Sequence, residues 1–385
     1  MRILISAGEA SGEFYGSELM KALRCQFSKA KPAADVEFFG VGGEQMRAAG
    51  CDLLADAREI AEVGIVEVIK HIPTIYRRFR EVVSEAERRL PDAAVFIDFP
   101  DFNLRLAREM HKRGVPVIYY VSPQLWAWKQ GRIELVRKYV DKMLVIFPFE
   151  EKFYRERGIA AQFVGHPLAD LPAPAISRQQ FAVEYKLDAG RTWIALLPGS
   201  RRAEVSRILP TLLEAAQLLG REYVYLVPVA STLEPQWMSS LLRGYTGPPI
   251  VFTSDARATL LHARTAAVAS GTSTLEAALL ETPFAMVYQV APLTWALGRR
   301  LVKVDRFAMV NLIAERDVVP ELVQNDFTAA RFCDELQRLV PDGEARETMI
   351  SGFREVRRRL QLLDAGGDAS ARAAKAVLAA METQA

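Results

Sequence analysis

The feature of this sequence that most restricts its fold is a repeated alternation between short apolar runs and helical patterns. The first series of apolar runs covers residues 3–7, 36–41, 93–98, 115–121, 142–147 and 161–164. A second series covers residues 192–197, 223–227, 250–252, 266–269 and 284–288. Such alternation is typical of βαβ units, in which each helix connects two parallel strands. We therefore predict an α/β protein with two Rossmann-like lobes, whose parallel sheets face a central cleft.

The predicted domain boundaries follow from where the alternation stops. We expect the first lobe at residues 1–167, a linker with Pro172 and Pro174 at 168–191, and the second lobe at 192–327. Residues 328–385 have no strand signal, and they predict helices separated near Pro341 and near Gly366. Two alternatives stay open for these helices, packing back on the first lobe or on a partner chain. The sequence is compatible with a monomer or a homodimer.

The composition excludes several classes of protein. The 49 basic and 47 acidic side chains leave a net charge of +2, so we expect no nucleic-acid partner. The cysteines Cys25, Cys51 and Cys333 lie far apart, which predicts a reducing compartment rather than a disulfide framework. No apolar stretch approaches the ~18 residues of a membrane span, and the residues before Ser6 are too few for a signal peptide. We expect a cytoplasmic protein.

Histidine and cysteine spacing predicts neither a metal site nor a metal cofactor. The 4 histidines never occur four residues apart, and no cysteine pair has CxxC spacing. His166, in "FVGHP" at the end of the first lobe, has two possible roles. It either reaches the cleft or stabilises a turn.

The loop after the first apolar run, "SAGEASGEFYG", has glycines four residues apart and fits neither a dinucleotide loop nor a P-loop. Glu9 and Glu13 would repel a diphosphate. One interpretation is structural: Ser11 caps a helix, while Gly12 and Gly16 let that helix lie close to the sheet. The other is a site for sugar hydroxyls, in which Glu13 accepts a hydroxyl hydrogen bond or acts as a base.

Two segments of the second lobe predict anion sites at the start of helices. In "ALLPGSRRAEV", an apolar run is followed by Ser200, Arg201 and Arg202, where N–H groups and guanidinium groups favour an anion. The alternative is a turn with surface arginines. In "ASGTSTLEAALL", the segment after the apolar run offers a second phosphate site and a carboxylate for a ribose diol, with the residues Gly271, Thr272, Ser273 and Glu276. Together they favour a nucleoside diphosphate.

The string "VFIDFPDFN" places acidic residues at the carboxyl end of a central strand. Asp98 ends the apolar run, where partial burial raises a carboxyl pKa toward that of a general base. The alternative is a structural aspartate that caps the helix starting near Phe102, and Asp101 fits that role better. We assign chemistry to Asp98 and a structural role to Asp101.

The string "YYVSPQLWAWKQGR" contains two tryptophans before basic residues. We expect core packing for at least one indole, whereas the other, Trp128, lines the cleft against a sugar or an acyl chain.

Residues 64–80, "GIVEVIKHIPTIYRRFR", combine apolar positions at helical spacing with interleaved basic residues. Such a segment either lies at an anionic membrane surface or packs in the core with solvated arginines. The residues that we expect at a membrane are Val66, Val68, Ile69, Ile72, Ile75 and Arg77.

Taken together, these motifs resemble those of the lipid-A-disaccharide synthase family, which are bacterial glycosyltransferases of the GT-B fold. The resemblance covers both lobes in order, from residue 8 to about residue 314. It rests on the strings "GEASGE", "GIVEV", "IDFPDFN", "YVSPQLWAW", "FVGHP", "LLPGSRRAEV", "SGTSTLE" and "RLVKVDRFAMVNLIA".

The resemblance implies an inverting enzyme that transfers 2,3-diacylglucosamine from UDP-2,3-diacylglucosamine to the 6-hydroxyl of 2,3-diacylglucosamine 1-phosphate (lipid X) and releases UDP. It also implies that the first lobe binds the acceptor and the second lobe binds the nucleotide. Because the acceptor carries acyl chains, membrane contact becomes the favoured interpretation of residues 64–80. The expected location is the cytoplasmic face of the inner membrane, with peripheral association.

On this basis we expect Asp98 to take the proton of the acceptor hydroxyl and Arg201 to stabilise the departing diphosphate. Arg202, Glu276 and Asn311 would support the UDP. Two other functions stay open: a UDP-N-acetylglucosamine 2-epimerase of the same fold, and a non-catalytic sugar-nucleotide binding protein.

Overall fold

The protein is described by a computed structural model, which covers residues 1–30, 35–61, 68–299, 305–362 and 366–382. The chain forms two compact units. Unit 1 consists of Met1–Asp170 and Leu360–Ala385, and unit 2 is Leu171–Arg359. The segment after residue 327, which the sequence analysis treats as one part, is therefore divided between the two units.

Unit 1 is built on a parallel sheet with the strand order β3-β2-β1-β4-β5-β6-β7 in the described residues. Its strands are β1 (Arg2–Ala7), β2 (Glu37–Gly42), β3 (Cys51–Asp56), β4 (Ala93–Ile97), β5 (Val117–Tyr120), β6 (Lys142–Val145) and β7 (Ala161–Phe163). The helices between them are α1 (Ala10–Ala30), α2 (Glu44–Ala48), α3 (Arg58–Ala61), α4 (Val68–Arg89), α5 (Pro100–Lys112), α6 (Ile133–Tyr139), α7 (Pro148–Arg155) and α8 (Pro167–Asp170). A short 3₁₀ helix, Gln130–Arg132, precedes α6.

Unit 2 contains a second parallel sheet, whose described strands have the order β10-β9-β8-β11-β12-β13. The strands are β8 (Thr192–Leu197), β9 (Tyr223–Pro228), β10 (Ile250–Thr253), β11 (Thr265–Ala269), β12 (Phe284–Tyr288) and β13 (Glu321–Val323). The helices are α9 (Arg178–Tyr185), α10 (Arg202–Leu219), α11 (Pro235–Ser240), α12 (Ala256–His262), α13 (Thr272–Leu279), α14 (Pro292–Gly298), α15 (Met309–Ala314), α16 (Ala329–Leu339) and α17 (Glu344–Leu360). The last helix of the chain, α18 (Ala369–Glu382), belongs to unit 1.

Every apolar run of the sequence forms a strand, and the interior strands are apolar throughout because helices cover both faces of a parallel sheet. In β1, for example, Ile3, Leu4 and Ile5 are fully buried. The sequence analysis missed β3 and β13. Both are edge strands with partly exposed residues, so neither has a continuous apolar run.

The predicted close packing of α1 on the sheet is confirmed. A side chain at Gly16 would approach the sulfur of Met46 to 3.0 Å and Ile97 to 3.2 Å, closer than ordinary contact, whereas one at Gly12 would lie at an ordinary 3.6 Å from Ala7. The predicted cap is wrong, because α1 begins at Ala10 and Ser11 lies inside its first turn.

The stretch expected to be a linker contains helix α9, whose start is capped by the Ser177 side chain. Phe181 of α9 is fully buried, and its ring lies 5.7 Å from that of Trp193 in β8. Most of residues 168–191 therefore pack as part of unit 2.

The C-terminal helix α18 packs against α1. Gln26 donates a hydrogen bond of 2.6 Å to the carbonyl of Ala371, and Arg372 donates one of 2.8 Å to the carbonyl of Val164.

In the described part of the chain, no helix is both long enough and apolar enough to cross a membrane.

Candidate active site

The carboxyl ends of β1 and β4 form the centre of the candidate site in unit 1. Because Ala7 pairs with Ile97, the loops that follow the two strands lie side by side. The space that a side chain at Gly8 would need is filled by the ring of Phe99. Asp98 and Phe99 both adopt left-handed backbone conformations, with φ of 44° and 50°. Strain of this kind persists only where the surrounding structure enforces it.

Asn103 enforces the conformation of Asp98. Its side chain is completely buried, and Ser6 donates a hydrogen bond of 2.6 Å to its amide oxygen. The amide nitrogen of Asn103 donates to the carbonyls of Ser6, Ile97 and Asp98, at 3.2, 3.2 and 2.9 Å. The hydroxyl of Tyr119 also donates to the Asp98 carbonyl. The backbone of Asp98 is therefore fixed, and its carboxylate lies at the carboxyl edge of the sheet.

The electrostatic environment of Asp98 suits a general base. Its pKa is raised from 3.8 to about 7, chiefly by burial and also by the negative charge of Glu9, while the N–H group of Phe99 opposes the shift. A carboxyl group with a pKa near 7 can accept a proton at neutral pH and remain partly ionised. The predicted rise in pKa is confirmed. The carboxylate whose negative charge raises the Asp98 pKa is that of Glu9, not that of Glu13.

Glu13 has a structural partner. Its carboxylate accepts a hydrogen bond from the backbone N–H of Gln45, in the first turn of α2. Gly43 leaves the space that this carboxylate occupies. The carboxylate therefore caps a neighbouring helix, and its expected role as a hydroxyl acceptor or base stays a prediction.

The sequence predicts that Asp101 caps its helix. This prediction is wrong, because α5 begins one residue earlier, at Pro100. Asp101 instead forms ion pairs with Arg132 and, at 3.7 Å, with Lys129. The Lys129 ammonium lies 4.3 Å from the centre of the Trp128 ring, which is 40% exposed. These residues bring an exposed indole and two cations to the start of α5.

Trp126 and His166 are structural. The Trp126 indole donates a hydrogen bond of 3.2 Å to Glu150, whose pKa is raised to about 8 by burial. His166 is 1% exposed, burial lowers its pKa to about 3, and its Nδ1 accepts a hydrogen bond of 3.1 Å from the N–H of Leu168. Of its two expected roles, the geometry supports stabilisation of the turn.

The first anion loop of unit 2 lies between β8 and α10. Ser200, Arg201 and Arg202 are exposed, as expected of residues that bind a ligand. Arg202 forms an ion pair of 3.0 Å with Glu234, and its guanidinium lies 5.1 Å from the ring of Trp237. The loop therefore places the N–H groups of Ser200 and Arg201 and the Arg201 side chain at the carboxyl end of β8, where the Glu204 carboxylate accepts their hydrogen bonds.

The second anion loop of unit 2 lies between β11 and α13. Gly271 has a φ of 147°, and Gly271 and Thr272 are exposed, while Ser273 is partly exposed. No side chain caps α13 within the described residues, so its first N–H groups can bind an anion. Glu276 is partly buried, and burial raises its pKa, while Arg257 lowers it and Asp255 raises it.

Asn311 is buried and makes its hydrogen bonds within the protein. Its amide oxygen accepts from the N–H groups of Val318 and Val319 at 2.8 and 3.0 Å. Its amide nitrogen donates to the carbonyl of Val319 and to Glu321, both at 2.9 Å. Glu321 in turn accepts from the N–H groups of Phe307 and Ala308. The expected contact between Asn311 and UDP is therefore not supported, and Asn311 anchors the loop after α15.

We expect Asn311→Ala to lower the stability of unit 2 by about 3 kcal/mol, since each buried polar group left unpaired costs about 1–3 kcal/mol. A calorimetric scan should show a fall in Tm of several degrees. The matched control is Asn325→Ala, at an exposed position. Equal Tm values for the two variants would contradict the anchoring role.

Among the described residues, no group of three or more His, Cys, Asp or Glu side chains could hold a metal ion. Unit 1 carries a carboxyl group with a raised pKa at the edge of its parallel sheet, and unit 2 carries two anion loops at the edge of its own sheet. Two Rossmann-like units of this kind are the GT-B architecture of sugar-nucleotide glycosyltransferases. A solved calicheamicin glycosyltransferase is similar, with a TM-score of 0.57, 17% identity and coverage of 99% of this chain and 98% of that chain.

A family model described as lipid-A-disaccharide synthetase matches residues 3–374. A lipid-A-disaccharide synthase from Koribacter versatilis (strain Ellin345) is 56% identical over 379 residues, which is 98% of each chain. The chain belongs to the lipid-A-disaccharide synthase family and is a glycosyltransferase. A UDP-N-acetylglucosamine 2-epimerase from Neisseria meningitidis shares the fold, with a TM-score of 0.57 over 100% of both chains and 11% identity. That likeness shows the fold alone, and the comparisons support the synthase rather than the epimerase.

Proposed function

We propose that this glycosyltransferase transfers 2,3-diacylglucosamine from its UDP derivative to the 6-hydroxyl of lipid X. The products are a lipid A disaccharide 1-phosphate and UDP. The observation that carries this proposal is the Asp98 carboxyl group, held at the edge of the unit 1 sheet with a pKa of about 7. Family membership supplies the substrate class.

In the proposed reaction, the 6-oxygen of the acceptor attacks the anomeric carbon of the donor sugar while the bond from that carbon to the phosphate oxygen breaks. Asp98 takes the proton of the attacking hydroxyl. The electron pair of the broken bond leaves with UDP. Attack from the face opposite the leaving group inverts the anomeric configuration.

We assign the donor to unit 2. The negative charge that develops on UDP is stabilised by the Arg201 guanidinium and by N–H groups at the starts of α10 and α13, near Ser200 and Thr272. The partly buried carboxylate of Glu276 accepts hydrogen bonds from the ribose diol. We propose no cofactor, because these positive groups supply charge of the same sign as a divalent cation.

The direct test uses UDP-2,3-diacylglucosamine labelled in the sugar, with and without lipid X. We expect labelled disaccharide and UDP only when lipid X is present. Conversion of a labelled UDP-sugar without acceptor would indicate epimerase chemistry. Binding of the UDP-sugar without any turnover in the presence of lipid X would indicate a non-catalytic protein.

The proposed base predicts a pH dependence. Because Asp98 must be ionised to accept the proton, kcat/KM should rise with pH and reach a plateau above about pH 7. The variant Glu9→Gln removes a negative charge that raises the Asp98 pKa, so the midpoint of the profile should move to lower pH. The control is Glu18→Gln, which also removes one negative charge, but from within helix α1. A midpoint that stays near the ordinary carboxyl range in the wild type would contradict the role of Asp98.

We further propose that α4 contacts the cytoplasmic face of the inner membrane. Ile72 and Tyr76 are 52% and 62% exposed, and Pro73 and Arg77 beside them are exposed as well. An exposed apolar patch next to a cation suits the surface of an anionic bilayer. Ile75 instead packs against the core of unit 1. Val66 and the side chains of Val68 and Ile69 lie outside the described residues.

We expect the double variant Ile72→Ser with Tyr76→Ser to reduce co-flotation with vesicles containing anionic lipid severalfold, because it removes the exposed apolar surface of α4. The fold should be unaffected, since both side chains are exposed. The matched control replaces Leu135, an exposed apolar residue of α6 in the same unit, by serine. If the α4 double variant floats as well as Leu135→Ser, the membrane assignment of α4 is wrong.

A further inference from the structure

We propose that Glu204 is a displaceable gate in the diphosphate seat, which we define as the N–H groups of Ser200 and Arg201 together with the Arg201 guanidinium. In the free enzyme the Glu204 carboxylate occupies this seat, and UDP enters and leaves by exchanging with it. The inference rests on the proposed assignment of this seat to UDP. It adds to that function a residue that sets the affinity for the nucleotide.

Glu204 contacts each of the three groups that form the seat. One carboxylate oxygen accepts hydrogen bonds from the N–H groups of Ser200 and Arg201, at 3.2 and 3.3 Å. The other oxygen pairs with the Arg201 guanidinium at 3.2 Å. An ordinary capping box would satisfy only the N–H of the residue that precedes the helix, here Arg201. The additional bonds from Ser200 and from the guanidinium are those that a bound anion would receive.

The shape of the loop fits this occupancy. Gly199 has a φ of 118°, and the space that a side chain at this position would need is taken by Glu204. The hydroxyl of Thr232 donates a hydrogen bond of 2.7 Å to the carbonyl of Ser200, and this bond fixes the peptide unit whose N–H is that of Arg201. The loop is therefore held in a form that receives an oxygen anion, whether or not a nucleotide is present.

The Glu204 side chain is able to leave. It retains 31% of its exposure, and the Arg201 side chain is 63% exposed. Both can therefore rotate toward solvent without disturbing the core. A phosphate oxygen and a carboxylate oxygen are hydrogen-bond acceptors of the same charge sign, so they cannot occupy these donors together. Return of the carboxylate to the seat would then favour the release of UDP after transfer.

The test measures the affinity of the full-length protein for UDP and for inorganic pyrophosphate by calorimetry. The variants are Glu204→Ala and Glu204→Gln, and the control Glu214→Gln removes one charge from an exposed position on the same helix. We expect Glu204→Ala to bind both ligands roughly tenfold more tightly, since loss of one competing charged hydrogen-bond set has about that effect. Glu204→Gln should show a smaller gain, and Glu214→Gln none.

The variant Arg201→Ala separates the inference from the function on which it rests. If Arg201→Ala weakens UDP binding and the Glu204 variants bind UDP as the wild type does, or more weakly, Glu204 is a helix cap and the gate is wrong. If neither Arg201→Ala nor the Glu204 variants change UDP affinity, the diphosphate binds elsewhere and the proposed seat fails together with the gate. A gain confined to the Glu204 variants, and seen for pyrophosphate as well as UDP, supports the gate.

Discussion

Asp98→Asn is expected to lower kcat by roughly 10²–10⁴-fold, which is the usual contribution of a positioned general base. Asparagine has nearly the shape of aspartate, and the backbone at this position is fixed by Asn103 and Tyr119, so the fold should be kept. UDP affinity should not change, because the nucleotide is assigned to unit 2. The measurement is the steady-state formation of labelled disaccharide, together with UDP binding by calorimetry.

The matched control is Asp101→Asn, which removes a carboxylate three residues away that forms ion pairs at the surface. We expect its effect on kcat to be less than tenfold. Near-normal turnover by Asp98→Asn with unchanged UDP binding would remove the role of Asp98 as the base. Glu9 would then be the candidate, because its charge lies close enough to raise the Asp98 pKa.

The raised pKa of Asp98 also has a consequence for stability. Folding raises this pKa from 3.8 to about 7, so the group stabilises the fold fully only below pH 3.8. That contribution is lost as the pH rises through about 7. Asp98→Asn stays neutral, and its stability relative to the wild type should therefore increase by about 3 kcal/mol between about pH 5 and about pH 8.5. Aspartate at this position thus supports catalysis at the expense of stability.

The architecture of both units is predictable from local sequence, because every interior strand of a doubly covered parallel sheet must be an apolar run of its own. The position of Asp98 follows from the same rule, since it is the first polar residue after the buried run of β4. The edge strands β3 and β13 carry no such constraint. Their pairing depends on neighbours that are distant in the sequence.

One assignment in the predicted site fails for a physical reason. The family resemblance implies that Asn311 supports the UDP, but its buried amide is bonded to Val318 and Glu321, which lie further along the chain. An amide that is completely buried and makes all its hydrogen bonds within the protein is not available to a substrate. Spacing within one motif does not reveal such long-range partners.

The sequence does not single out Glu204 and Asn103 as residues that shape the site, although they lie within "LLPGSRRAEV" and "IDFPDFN". Glu204 is the third residue of α10, and a glutamate at that position of a helix is a recognisable signal for a capping box. A buried asparagine in the first turn of a helix after a strand is a weaker signal. Both act through backbone groups of the catalytic loops, so their importance is visible only once the loop geometry is known.

Arg201→Ala is expected to lower kcat by roughly 10²–10³-fold, the usual effect of removing one group that stabilises charge developing in the transition state. The charge on the UDP leaving group increases as its bond to the sugar breaks. The loss in kcat should therefore exceed the loss in UDP affinity. Arg201→Lys keeps the charge but not the two-pronged hydrogen-bonding geometry of the guanidinium, and its activity should lie between those of the wild type and of Arg201→Ala.

The control for Arg201 is the adjacent Arg202, whose guanidinium pairs with Glu234 at 3.0 Å and lies over the ring of Trp237. The Arg202 side chain already contacts Glu234 and Trp237 at the start of α11. We therefore expect Arg202→Ala to lower kcat less than Arg201→Ala does. Single-turnover measurements with saturating donor separate chemistry from UDP release. A larger effect of Arg202→Ala on the chemical step would show that the leaving group meets the second arginine and not the first.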